Sequence, residues 1–172
     1  MLVGDSNKFA VQFELNNDYG GPWMFGKFCF WIGGTRVGDY ESGTSLRDVL
    51  FLLEPIVKDN GNRSNEKLFL LNAKECFYRL NEAFYGDSEQ YDSMALEESW
   101  ARHNVCPSLD IFNDWKIFLI AFEGNARFLI QNLNSSPDTN DVMEFFVHVT
   151  DFETVLSETY EILNDIYNKE NK

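Results

Sequence analysis

The chain has 172 residues, 44% hydrophobic and 16% aromatic, with 16 Phe; that length suits one domain over residues 1–172, and the apolar content excludes a disordered chain. Its 28 acids against 14 bases leave a formal charge of −14, which disfavours direct binding to nucleic acid or to an anionic membrane, since both need a basic patch. The field of such a chain steers basic partners towards it, or serves solubility alone.

The opening MLVGDSNKFAVQFEL has no basic segment and no long apolar run, so no signal peptide is expected. No window reaches the roughly 18 apolar residues of a membrane span. Phe9, Val11, Phe13 and Leu15 alternate with Ala10, Gln12, Glu14 and Asn16, the pattern of a half-buried strand. NDYGGP, residues 17–22, is a turn cluster.

The stretch from Phe25 to Leu53 organises the rest. Phe28, Phe30 and Ile32 share one strand face, with Cys29 and Trp31 on the other. Gly33-Gly34 form a two-residue turn, because glycine takes positive φ without steric cost, and Thr35 to Tyr40 return antiparallel. Ser45 caps a helix whose Leu46, Val49, Leu50 and Leu53 make one stripe. Pro55 is expected to end or kink it.

Residues 58–67 (KDNGNRSNEK) read as a polar surface loop. A helix is expected within 68–85: Asn72 and Glu75 form a capping box, Ala73, Cys76, Phe77, Leu80 and Phe84 make the buried stripe, and Gly86 is the stop. Asp87 to Glu98 reads as loop or as short helix, and Trp100 to Phe112 is too irregular to assign. WKIFLIAF (Trp115–Phe122) suits a central strand covered on both faces. Gly124-Asn125 is a hairpin turn, residues 127–133 the returning strand and 134–141 a polar loop. Glu144 to Val149 is a further strand. Thr150 and Glu153 form a capping box for a closing helix that reaches about Tyr167. Its apolar side is Phe152, Val155, Leu156, Thr159, Leu163, Ile166 and Tyr167, and the tail from Asn168 is expected to fray. The element set reads as α+β: a mostly antiparallel sheet of about six strands with three or four helices packed on it.

Chemical motifs are absent. Cys29, Cys76 and Cys106 are odd in number and lack CxxC spacing, so neither a disulfide framework nor a zinc site is expected. Reduced, buried thiols point to a reducing cytoplasm. His103 and His148 have no recognisable catalytic partner, and His148 on a strand reads as structural or solvent-facing. There is no GxSxG, Walker A or HExxH, and Gly33, Gly34 and Gly38 do not open a helix as a dinucleotide fingerprint must. No catalytic residue, cofactor or metal ligand is assigned. Trp23, Trp31, Trp100 and Trp115 read as core residues, and any that is exposed would be an interface anchor. Two acidic groups are candidate partner-binding residues. Asp87, Glu89 and Asp92 belong to a run without bases, and Glu158, Glu161 and Asp165 lie opposite the apolar stripe of the last helix.

The segments GDSNKFAVQFELN, WMFGKFCFWIGG and VGDYESGTSLRDVLF, with LDIFNDWKIFLI and ARFLI further on, resemble the immunity 42 family of bacterial polymorphic toxin systems of the contact-dependent inhibition type. They cover most of the chain, and the match is weakest between about Asp59 and Ala101. The resemblance implies a cytoplasmic, non-enzymatic protein that binds and neutralises a cognate toxin domain by masking its active site or an essential surface. Many such toxins are nucleases with basic surfaces, which the acidity suits. Two other classes stand beside this one. One is a small enzyme with a scattered site using His103 or Cys106; the other is an acidic adaptor for a basic cellular protein.

Overall fold

The computed structural model describes residues 1–134 and 141–171, so most of the polar loop expected at 134–141 lies outside the described residues. The alternation from Phe9 builds β2 (Phe9–Leu15), which pairs antiparallel with β1 (Leu2–Gly4) and β3 (Phe25–Ile32). Register places Phe9 opposite Ile32, Val11 opposite Phe30 and Phe13 opposite Phe28. These six side chains therefore face one way, and all are buried. Gly33 and Gly34 turn the chain with φ of 56° and 82°, which are type I′ values. β4 (Thr35–Val37) returns along β3, and β5 (Thr44–Ser45) pairs with the start of β3.

β6 (Trp115–Phe122), β7 (Asn125–Asn132) and β8 (Met143–His148) form a second antiparallel sheet in chain order. The α+β class stands, but the strands expected as one sheet of about six are divided into sheets of five and three. Among the described residues there are five α-helices: α1 (Leu46–Lys58), α2 (Glu66–Leu70), α3 (Ala73–Tyr85), α4 (Glu89–Glu97) and α5 (Val149–Glu170). The second sheet is covered on both faces, as WKIFLIAF led one to expect. Ile117, Leu119, Phe128 and Ile130 join the first sheet, α1 and α5 in one core. Phe118, Ile120 and Leu129 point the other way, into a second core with Leu68, Cys76, Phe77, Leu80 and Trp100. Period-two alternation is what divides one strand's apolar residues between two cores.

Several local expectations shift. Pro55 does not end α1, which runs on to Lys58. Pro55 and Phe51, whose carbonyl loses its helical amide partner, are both exposed, on the side of α1 where that loss costs least. The helix expected within 68–85 is α3, capped by Asn72 and stopped at Gly86, and a short additional helix, α2, precedes it. Asn72 caps α3 by accepting from the Glu75 amide at 2.9 Å, while the Glu75 carboxylate takes a bond from Arg79 at 2.8 Å rather than reaching back to the cap. Residues 89–97 are helix, started by Ser88. The second hairpin turn is Glu123-Gly124, one residue earlier than expected, because Phe122 pairs with Asn125. β8 runs straight into α5, so His148 rather than Thr150 is the cap, accepting from the Thr150 amide at 3.4 Å. α5 stays helical past Asn168, and the Tyr19 hydroxyl donates to Glu170 at 2.7 Å near its end.

The loop at 58–67 is not a free surface segment. The Ala121 amide donates to the Arg63 carbonyl at 2.8 Å and the Asn65 amide to the Ala121 carbonyl at 2.9 Å, which covers the edge of β6. The Arg63 side chain is only 2% exposed. It donates to the carbonyls of Ile56 and Arg102 and to Asn60 Oδ1, and it lies over the Phe152 ring. Burial pushes its pKa down to about 10. Of the tryptophans, Trp100 is buried, Trp31 and Trp115 are half-buried and Trp23 is exposed.

Candidate partner-binding surface

α1 and α5 run antiparallel: Phe51 meets Tyr167 at one end, and Asn60, just past α1, donates to Ser157 Oγ at 3.1 Å at the other. α5 turns Phe152, Val155, Leu156, Thr159 and Leu163 into the core. Glu158, Glu161 and Asp165, spaced i, i+3 and i+7, therefore share the outward face. All three are exposed, with no side-chain partner among the described residues. Glu158 and Glu161 border a shallow depression with Asn60, Glu153 and Ser157.

Asp87, Glu89 and Asp92 are exposed as well. Asp87 precedes the Ser88 cap, and Glu89 and Asp92 occupy the first turn of α4, where the helix dipole favours acids. The structure does not bring the two groups together. α4 packs on α3, whose core lies on one face of the second sheet, and α5 packs on the other face.

The residues weighed for catalysis each make their own hydrogen bonds. His103 is 1% exposed, and its Nδ1–H donates to the Leu119 carbonyl at 3.0 Å. Burial pushes its pKa down to about 4. His148 is exposed and occupied with the start of α5. The Cys106 thiol donates to the Trp115 carbonyl at 3.5 Å, and burial pushes its pKa up to about 12. Burial likewise pushes Cys29 and Cys76 up to about 11. A nucleophilic thiol needs the opposite shift. Among the described residues no three His, Cys, Asp or Glu side chains cluster to hold a metal. No helix among them is long and apolar enough to cross a membrane.

Sequence reasoning did not single out Phe25, Arg47 or Phe51, which stand on the surface beside Trp23. A signal existed for Phe51. It falls off the stripe of Leu46, Val49, Leu50 and Leu53 by more than a quarter of a helical turn.

The architecture is that of a CdiI immunity protein of known structure. The crystal structure of CdiI from Burkholderia dolosa AUO158 matches with a TM-score of 0.70 and 18% identity, over 94% of this chain and 99% of that one. At that identity the likeness establishes the fold. The family model of immunity protein 42 matches residues 1–169, and the chain belongs to that family. It is an immunity protein, of the kind that neutralises a toxin. The match includes residues 59–101, where the resemblance of the segments is weakest. Comparison with curated proteins found no match.

Proposed function

We propose that this chain, acting as one non-catalytic domain in the cytoplasm, binds its cognate toxin domain and covers the toxin's active site or an essential surface. The toxin surface is basic, as on a nuclease. One of the two acidic groups lies at the contact: Asp87, Glu89 and Asp92, or Glu158, Glu161 and Asp165. The observation that carries this reading is the match of residues 1–169 to a family of immunity proteins. The charge of −14 supports a basic partner.

The test is co-expression with the toxin domain encoded by the reading frame adjoining this chain's gene, scored by colony survival. The wild-type chain protects the cells, and His103→Ala and His148→Ala protect as well as wild type. Absence of protection by the folded wild-type chain overturns the reading. A folded, toxin-binding His103→Ala chain that fails to protect returns the case to an enzyme.

A further inference from the structure

Five side chains make a continuous strip where α1 begins and α5 ends. Phe25 stacks on Trp23, with ring centroids 6.2 Å apart and planes within 4°. The Arg47 guanidinium lies 3.8 Å from the Trp23 ring centroid. Phe51 follows Arg47 at i+4, on the same side of α1. Phe51 then meets Tyr167 of α5 edge-on at 5.4 Å. Trp23, Phe25 and Phe51 are 50%, 45% and 48% exposed, so each ring is held by its neighbours and still faces water.

The backbone that presents this strip is strained. Gly20, Gly21 and Met24 have φ of 67°, 57° and 53°, and for Met24 that region is costly. Its consequence is specific. Met24 is fully buried, while Trp23 and Phe25 on either side of it point out. The Met24 amide donates to the Gly21 carbonyl at 3.0 Å, the Phe25 amide to Tyr19 at 2.8 Å and the Leu46 amide to Met24 at 2.9 Å. The Ser45 hydroxyl donates to the Trp23 carbonyl at 2.9 Å. The rings are therefore ordered before any partner arrives, which lowers the entropic cost of binding. Trp, Tyr and Arg are also the residue types that dominate binding hot spots.

Resting on the immunity reading above, we infer that this strip is the anchor of the toxin interface. Its occupant is a basic face of the toxin domain that sets an apolar side chain against the rings. Charge selects that occupant. The one cation among the five side chains, Arg47, is paired with Asp48 at 2.8 Å. Glu170, one turn beyond Tyr167 on the same side of α5, accepts from the Tyr19 hydroxyl at 2.7 Å, and the whole chain carries a formal charge of −14. A partner seated on the rings meets a negative rim. That rim repels an acidic protein, including a second copy of this chain.

Calorimetric titration with the toxin domain from the adjoining reading frame tests this. Trp23→Ala and Phe51→Ala each weaken Kd by about 30-fold or more. Leu96→Ala, at an 82% exposed position on α4, leaves it unchanged. Phe51→Arg, at an outward position where folding is unaffected, weakens binding further by repelling a basic face, and it decides the case if Trp23→Ala fails to fold. Wild-type Kd in all of the folded strip variants overturns the strip and leaves the immunity reading intact. A wild-type chain that does not bind the toxin domain overturns that reading instead. A dimer seen by sedimentation that Phe51→Arg abolishes assigns the strip to a second copy and overturns the proposal.

Discussion

Phe9 of β2 and Phe128 of β7 stack with ring centroids 5.5 Å apart and planes at 18°, and this contact joins the two sheets. Phe152 of α5 closes the cluster, at 4.8 Å from Phe9 and 5.6 Å from Phe128. All three rings are at most 1% exposed. Among the described residues no strand pairing links the sheets, so apolar packing of this kind holds them together.

Phe9→Ala and Phe128→Ala should therefore each lose about 3–5 kcal/mol in a urea melt. The double variant should lose less than the sum, because the two rings share a contact. A loss below about 1 kcal/mol for either would mean that the sheets are held elsewhere.

Arg127 is 3% exposed and donates to Glu144 Oε1 at 2.5 Å and to the Phe69 and Leu71 carbonyls at 2.6 Å each, tying the end of α2 to β7 and β8. Arg127→Met should cost about 2–4 kcal/mol, because both carbonyls and the carboxylate lose their donor. Arg127→Lys should not restore it, since an ammonium lacks the planar fork. Wild-type stability in either variant would remove Arg127 from this role.

His103 gives stability a pH dependence of known sign. Its folded pKa, about 4, lies below the ordinary 6.5, so the unfolded chain binds the proton more readily. The neutral ring's contribution is complete above about 6.5 and falls away as pH drops towards about 4, by roughly 3 kcal/mol at most. His103→Gln should flatten the stability profile across that window relative to wild type. An unchanged slope between the two chains would show that His103 titrates normally.

All three thiols should resist a disulfide reagent at a pH of about 8 in the native protein, and react in urea. The cause is the burial that raises Cys29 and Cys76 to about 11 and Cys106 to about 12. Rapid native labelling of Cys106 would revive it as a nucleophile.

Reversing Glu158, Glu161 and Asp165 to Lys should slow association with the toxin domain about tenfold or more at low salt, and added salt should mask the difference. Stability should barely change, because the three are exposed. The same reversal at Asp87, Glu89 and Asp92 tests the other acidic group by the same readout. Equal rates for both variants and wild type, read by surface plasmon resonance, would remove the acidic groups from the encounter. The contact would then be aromatic, or formed by the loop at Asn60; the loop at Ser135 lies outside the described residues.

Much of the local structure was legible. The alternation of β2, the Gly33-Gly34 turn, the Ser45 and Asn72 caps and the two faces of α5 depend on groups a few residues apart. Pro55 does not end α1, because the cost of a proline depends on whether the lost hydrogen bond lies on the solvent side of the helix. The surface strip was mostly hidden. Phe25 and Phe51 have the composition of core residues, and only Phe51 departs from a visible stripe.

The sequence by itself determined the α+β class, the alternating strands, the acidic outer face of α5 and, through its family segments, the immunity function. The tertiary structure alone decided that the strands divide into two sheets and that Arg63 and Arg127 enter the interior. It also decided that Trp23, Phe25 and Phe51 stay out. Periodicity and capping act over one or two turns, so the chain declares them locally. Burial of a charge or exposure of an aromatic ring depends on partners far along the chain: the Arg102 carbonyl for Arg63, the Phe69 and Leu71 carbonyls for Arg127, and Tyr167 for Phe51. Those partners arrive only when the elements pack.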